Sequence, residues 1–222
     1  RKGYCQFRYI PPIFRLGDTM TTKNAALQQW IDEVTAMTKP DKIHWCDGSK
    51  KEYKALVGRM LATGELLELN KAAYPNCYLH RSDPSDVARV EHLTYVCTEN
   101  REDAGPNNNW MEPSMARQKL NRLFDGCMQG RTMYVLPYCM GPIKSPYARC
   151  GVEITDSPYV AINMCLMTRM GRAALKRIER EGQFVKGLHS TGNLDPERRF
   201  IMHFSEELSI QSFGSGYGGN AL

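Results

Sequence analysis

Segments with helical periodicity alternate with strand-like segments along this chain, and this alternation is the feature that most limits its possible folds. A first helix, ending near Pro40, is predicted by five apolar residues that share one helix face: Leu27, Trp30, Ile31, Val34 and Met37. A second helix is predicted by the capping box of Ser49 and Glu52, and Gly64 is a suitable terminator for it. Between these helices, IHWC is a short strand candidate.

The remainder of the chain continues the alternation. Strands are predicted for ELLEL, CYLH, TYVCT, TMYVLPYCM, FVKGLHS, RFIMHF and LSIQSF. Helices are predicted through Leu120–Phe124 and after the cap Asp156-Ser157-Pro158, with Tyr159, Ile162, Leu166 and Met170 as the buried face of the latter. Because strands and helices are interleaved without a repeat, we predict an α/β fold in which helices pack on a mixed sheet.

Composition narrows the functional class. The 222 residues are 42% hydrophobic and include no apolar run of membrane-spanning length, so we expect no membrane segment. The net charge of +5 is spread along the chain, which hints weakly at an anionic ligand and does not indicate nucleic acid. Eight cysteines without a CxxC pair are typical of free thiols in a reducing cytoplasm, and no His–Cys spacing indicates a metal site.

A glycine-rich segment, SFGSGYGGN, follows the last predicted strand. Gly214, Gly216 and Gly219 match the dinucleotide-binding pattern G-x-G-x-x-G, but neither the helix nor the acidic residue that this pattern needs comes after them. A plain turn or a flexible tail is one interpretation. The other is an anion cradle, since glycines allow backbone N–H groups to approach a carboxylate and Tyr217 adds a phenol donor.

A second polar segment, YLHRSDPSDVARVE, contains an arginine that could bind a carboxylate through two parallel hydrogen bonds, Arg89. Glu91 would face the same way if the backbone is extended. The alternative is that the charged residues of this segment only pair with one another at the surface; these are Arg81, Asp83, Asp86 and Arg89.

These motifs resemble those of the GTP-dependent phosphoenolpyruvate carboxykinases. The resemblance covers residues 22–222 and rests on five segments in the family's order: PNCYLHRSDPSDVARVE, EDAGPNNNW, GRTMYVLPYCMGP, TDSPYVAINMCLMTRMG and SFGSGYGGN. It implies that the fold is the amino-terminal lobe of such an enzyme. It also implies a reaction that converts oxaloacetate and GTP to phosphoenolpyruvate, carbon dioxide and GDP, with a manganese ion and a second divalent metal, such as magnesium, bound to the nucleotide.

Matching the family's motifs residue by residue assigns roles to individual positions. Arg89 is implied to hold the substrate carboxylate, and Tyr217, Gly218 and Gly219 are implied to form the Tyr-Gly-Gly element beside it. Glu91 would then support the arginine or the tyrosine by hydrogen bonding, or else form only a structural salt bridge.

The resemblance also sets expectations for the domain organisation. Residues 1–19 are expected to be a leader or upstream segment, and residues 20–222 a substrate-binding domain that stops before the nucleotide-binding domain with its metal ligands. On this interpretation the isolated chain is an inactive fragment of a monomeric cytoplasmic enzyme of gluconeogenesis that binds neither nucleic acid nor membranes. The alternative is a non-catalytic relic that binds a dicarboxylate or a protein partner.

Overall fold

The computed structural model describes residues 20–86 and 90–216. Its helices are α1 (Ala25–Thr38), α2 (Lys50–Thr63), α3 (Pro113–Phe124), α4 (Pro158–Met167) and α5 (Arg172–Glu181). Its strands are β1 (Lys42–Trp45), β2 (Leu66–Glu68), β3 (Tyr78–His80), β4 (Thr94–Val96), β5 (Asn109–Trp110), β6 (Thr132–Met140), β7 (Arg149–Thr155), β8 (Arg169–Met170), β9 (Val185–Ser190), β10 (Phe200–Phe204) and β11 (Ser209–Phe213).

Nine of these strands form one mixed sheet in the order β1-β6-β7-β9-β11-β10-β4-β5, with β8 paired to β6. The strands β7, β9 and β11 run parallel to one another. Strand β6 is antiparallel to β7, and β10 is antiparallel to β11. The predicted mixed sheet with interleaved helices is therefore confirmed, and β2 and β3 form a separate two-stranded sheet.

The long strand β6 separates two apolar cores. Met133 and Val135 face a core formed with α1, α3 and α5, whereas Tyr134, Leu136 and Tyr138 face a core formed with α2 and α4. Both faces of β6 are buried because helices cover each side, which explains why TMYVLPYCM is apolar at nearly every position.

The predicted caps of α2 are confirmed. The Ser49 hydroxyl accepts a hydrogen bond from the Glu52 backbone N–H, and Gly64 ends the helix in the left-handed conformation. The Glu52 carboxylate reaches back to accept hydrogen bonds from the backbone N–H groups of Asp47 and Gly48, at 3.2 and 2.9 Å. Both carboxylate oxygens therefore stabilise the start of the helix.

The structure differs from the sequence prediction in and around α4. Ile162 is buried as predicted, but Leu166 is 70% exposed and Met170 lies beyond the helix, in β8. The buried residues of α4 are Val160, Ala161, Ile162 and Met164. A helix that is apolar on several sides shows no single periodic face, and its packing against both α2 and β6 selects the buried side.

Candidate functional site

The residues predicted to hold a ligand fall mainly outside the described part of the chain. This applies to Arg89 and to Tyr217, Gly218 and Gly219. Glu91 is described; it begins a short 3-10 turn, is exposed, and its carbonyl oxygen accepts a hydrogen bond from Asn109 Nδ2 at 2.8 Å. The residues that flank the others, Asp86 and Gly216, are also described, and they contact each other.

The carboxylate of Asp86 joins the two polar motifs. Its Oδ1 accepts a hydrogen bond from Ser215 Oγ at 3.0 Å, and its Oδ2 accepts one from the Gly216 backbone N–H at 3.0 Å. Ser82 Oγ also donates to Oδ2. A Cβ atom on Gly216 would lie 2.7 Å from this oxygen, so a larger residue there would force the Asp86 side chain to shift. Segments more than 100 positions apart in sequence are thus brought together by one side chain.

The surface network of charges does not form within the described residues. Neither Asp83 nor Asp86 makes an ion pair with Arg81 there; Asp83 Oδ1 instead accepts a hydrogen bond from the Ser85 backbone N–H at 2.8 Å. These bonds to Ser85 lower the pKa of Asp83 from its ordinary value. Asp86 is therefore a link to the glycine segment.

A buried arginine that the sequence analysis missed, Arg199, also connects the segment around Asp86 with the glycine segment. Arg199 is 2% exposed, and its Nε donates to the Gly214 carbonyl oxygen at 2.8 Å. Its Nη1 donates to the Ser85 carbonyl oxygen, and its Nη2 donates to the Leu194 carbonyl oxygen at 3.2 Å. One guanidinium thus satisfies three loop carbonyls, which uses the fixed fork of donors that only arginine has.

An open cleft of about 500 Å³ adjoins these two motifs. Some of the residues that line it come just after the carboxyl ends of the parallel strands β7, β9 and β11; they are Asp156, Thr191–Leu194 and Gly216 respectively. Ligands of open α/β sheets commonly bind at this end of parallel strands. The cleft is thus the strongest candidate site in the described part of the chain.

Three arginines line the cleft, and they differ in whether they form an ion pair. Arg131 Nη1 contacts Asp156 Oδ2 at 2.6 Å, and Asp156 also accepts hydrogen bonds from Ser190 Oγ and the Thr191 backbone N–H, so this pair is fully engaged. Arg59 donates to the hydroxyl of Tyr134 at 3.1 Å. Within residues 20–86 and 90–216, neither Arg59 nor Arg81 forms an ion pair. Their guanidinium groups are available to an anion, although Glu65 and Asp83 also line the cleft.

One group of potential metal ligands occurs in the described part of the chain, and it does not belong to the cleft. His44, Cys46 and Glu52 place ligand atoms within 4.8 Å of one another. His44 Nε2 lies 2.7 Å from Glu52 Oε1, and the carboxylate already accepts two backbone N–H groups at the start of α2. Burial raises the pKa of the Cys46 thiol, with Glu52 adding to the effect. We interpret this cluster as a helix cap, and its thiol is an unsuitable ligand for manganese.

Replacing the carboxylate of Asp86 by an amide should loosen the glycine segment. The new side-chain amide has one acceptor oxygen in place of two and carries no charge, so its hydrogen bond to the Gly216 N–H is weaker; in Asp86→Asn we expect the Gly216 amide to exchange at least about tenfold faster and the free energy of unfolding to fall by about 1–3 kcal/mol. Hydrogen-exchange mass spectrometry and urea denaturation measure the two effects. The control is Asp83→Asn, three positions away, which contacts only its own loop. Equal effects of the two substitutions would contradict the assignment.

Comparisons with known proteins agree on one family. The model of the family described as "Phosphoenolpyruvate carboxykinase N-terminal domain" matches residues 29–222. The proteins named phosphoenolpyruvate carboxykinase (GTP) from Anaeromyxobacter dehalogenans strain 2CP-C and Chlamydia trachomatis serovar D are 55% and 48% identical over 201 and 211 residues. Each alignment covers 90% of this chain, but only 34% and 35% of the relative. The chain thus spans about a third of the length of these curated relatives.

None of the helices within the described residues is both long enough and apolar enough to cross a membrane.

Proposed function

Since this chain belongs to the phosphoenolpyruvate carboxykinase N-terminal domain family, we propose that it carries part of the substrate site of a GTP-dependent phosphoenolpyruvate carboxykinase. The reaction proposed for the whole enzyme cleaves the carbon–carbon bond of oxaloacetate, releases carbon dioxide, and transfers the γ-phosphoryl group of GTP to the enolate oxygen. The products are phosphoenolpyruvate and GDP. The names of the relatives support this assignment.

We assign the binding of the substrate carboxylate to Arg89 and to the Tyr217-Gly218-Gly219 element. The observation that carries this proposal is the pair of contacts between Asp86 and Ser215–Gly216. Asp86 stands three positions before Arg89, and Gly216 directly precedes Tyr217. The described residues that flank the two motifs therefore meet, although 128 positions separate Arg89 from Tyr217 in the sequence. Arg199 holds the same two segments through Ser85 and Gly214.

Convergence of an arginine and a glycine segment suits this chemistry. The guanidinium would orient a dicarboxylate by charge-assisted hydrogen bonds, and backbone N–H groups of the glycines could approach its oxygens closely. Loss of carbon dioxide leaves negative charge on the enolate oxygen, and fixed positive groups nearby lower the energy of that state. Glu91 is assigned to support Arg89 or Tyr217, and its exposed position permits this role.

Within residues 20–86 and 90–216, the one group of three potential metal ligands lies outside the cleft. The manganese ion and the nucleotide-bound magnesium implied by the family prefer oxygen or imidazole ligands. The described His44–Cys46–Glu52 group does not fit them, because one of its three ligands is a thiol and its carboxylate already accepts two backbone N–H groups. We derive no catalytic step through a metal. We propose that the enzyme is a cytoplasmic monomer; the free thiols of the seven described cysteines support a reducing compartment.

Methionine at position 89 tests the proposal in the full-length protein. Because Arg89→Met removes the charge-assisted bonds and keeps the length of the side chain, we expect kcat/KM for oxaloacetate to fall by about 10- to 100-fold. For Glu91→Gln, which keeps the shape of the side chain but removes its charge, we expect turnover to fall by about three- to fivefold. The assay couples GTP-dependent phosphoenolpyruvate formation to a spectrophotometric readout.

The controls separate the alternatives. Arg122→Met removes an exposed arginine of α3 that does not line the cleft and should leave kcat/KM within about twofold, since exposed charges contribute little. Wild-type protein that binds oxaloacetate without turnover would favour a non-catalytic binding protein. Unchanged kcat/KM in Arg89→Met would disprove the assigned role of Arg89, and unchanged turnover in Glu91→Gln would remove Glu91 from the site.

A further inference from the structure

We infer that His189 is a positioning residue for the glycine segment: it holds the peptide group between Ser215 and Gly216 in a single orientation. The inference deepens the proposed function, on which its kinetic readout rests. His189 lies near the end of β9, is completely buried, and does not line the cleft. Its imidazole connects the last residue of β7 with the segment after β11.

Each imidazole nitrogen has one close partner. Nε2 lies 2.6 Å from the Ser215 carbonyl oxygen, and Nδ1 lies 2.7 Å from Thr155 Oγ1. Thr155 Oγ1 in turn accepts a hydrogen bond from the Ser157 backbone N–H at 3.0 Å. The chain of contacts therefore runs from the N-cap of α4 through Thr155 and His189 to the glycine segment.

These partners determine the tautomer. A carbonyl oxygen can only accept, so Nε2 carries the proton and donates it to Ser215. Nδ1 is then the acceptor and receives the hydroxyl hydrogen of Thr155. Burial lowers the pKa of His189, although Asp156, the Ser215 carbonyl and Asp86 oppose the shift, and the neutral ring is the form that this chain of hydrogen bonds uses.

The contact has a specific consequence for the backbone. The Ser215 carbonyl and the Gly216 N–H belong to the same peptide group, which is planar. His189 holds the carbonyl end, and Asp86 Oδ2 holds the N–H end at 3.0 Å. Because both polar ends are fixed, the peptide cannot flip without breaking two hydrogen bonds, so these two side chains set the orientation of the backbone where it enters Gly216.

Two substitutions separate the ends of the imidazole. Glutamine can place its amide nitrogen where Nε2 stands and so keep the donor to Ser215, whereas asparagine reaches only the Nδ1 position beside Thr155. If His189 only fills space in the core, both substitutions should increase hydrogen exchange and KM by similar factors. If His189 positions the peptide, His189→Gln should leave exchange and KM nearly unchanged, whereas His189→Asn should increase both.

The experiment compares both variants in the full-length protein by hydrogen-exchange mass spectrometry of residues 214–219 and by steady-state kinetics. We expect exchange in this segment to be at least about tenfold faster in His189→Asn, with KM for oxaloacetate raised about tenfold and a smaller change in kcat, since one buried hydrogen bond is lost. For His189→Gln we expect both values within about threefold of wild type. Equal exchange and equal KM in the two variants would overturn the inference.

A second pair of variants tests the inference if the His189 variants do not fold. Thr155→Val removes the hydroxyl that holds Nδ1, whereas Thr155→Ser keeps it. We expect faster exchange of residues 214–219 only in Thr155→Val, and wild-type exchange in that variant would overturn the inference. If wild-type protein shows no carboxykinase turnover, the proposed function fails, but the exchange data still decide the role of His189.

Discussion

Arg199→Met should be the most damaging change of a single side chain near the cleft, lowering the free energy of unfolding by about 3–5 kcal/mol. The guanidinium is buried and donates to the carbonyl oxygens of Ser85, Leu194 and Gly214. Methionine fills much of the volume but leaves these carbonyl oxygens without the donor that the buried guanidinium supplies. Because Ser85 and Gly214 flank the two ligand motifs, we also expect kcat/KM to fall by more than about tenfold.

The adjacent arginine provides a matched control. Arg198 is exposed, and its guanidinium lies 5.8 Å from the centroid of the Phe213 ring. We expect Arg198→Met to cost at most about 1 kcal/mol, as is usual for an exposed cation–π contact. Urea denaturation of both variants, with unchanged m-values as the check on two-state unfolding, measures the difference. Stabilities of Arg199→Met and Arg198→Met that agree within error would contradict the role of Arg199.

Gly171→Ala should destabilise the fold by more than about 3 kcal/mol, because the added methyl group has no space. A Cβ atom there would lie 1.9 Å from the carbonyl oxygen of Asp47 and 2.8 Å from the backbone nitrogen of Gly48. These are backbone atoms that cannot rotate away. The φ angle of +95° adds strain. The start of α5 therefore packs directly on the turn that starts α2, and alanine would push the two apart.

A second glycine isolates the steric effect from the conformational one. Gly182, at the other end of α5, has φ of +78° and no atom within 4 Å of its Cβ position. Gly182→Ala should therefore cost only the left-handed strain, about 1–2 kcal/mol. Thermal and urea unfolding of both variants measure the comparison. A Gly171→Ala protein no less stable than Gly182→Ala would show that the backbone can shift without cost.

The elements that can be predicted from the sequence have clear periodicity or caps. The helix α2 follows from Ser49, Glu52 and Gly64, and β6 follows from its continuous apolar run. The strand β7 is not among the predicted strands, although it lies at the centre of the sheet. Its sequence, RCGVEIT, places a glutamate inside: Glu153 is 0% exposed, its oxygens have no hydrogen-bond partner within the described residues, and burial raises its pKa well above the ordinary value. Sequence patterns treat such a residue as solvent-facing.

The sequence predicts the site as two motifs, but it does not predict the residues that join them. In the sequence, Asp86 is only one of four charges that could pair at the surface. Arg199 and His189 carry no local signal, because most of their partners are distant in sequence: Ser85 and Gly214 for Arg199, and Thr155 and Ser215 for His189. Backbone carbonyls occur at every position, so a contact of this kind depends on the tertiary fold alone. The assignments of Arg89, Glu91 and Tyr217–Gly219 remain predictions.

The position of β11 also has a consequence for synthesis of the protein on the ribosome. This strand pairs with β9 on one side and β10 on the other, so the sheet consists of two unjoined parts until residues 209–213 have emerged. Until then, both neighbouring strands expose open edges that can pair with other chains. The nascent domain should therefore depend on chaperone protection until its last strand closes the sheet, and the same insertion completes the segment that leads to Tyr217.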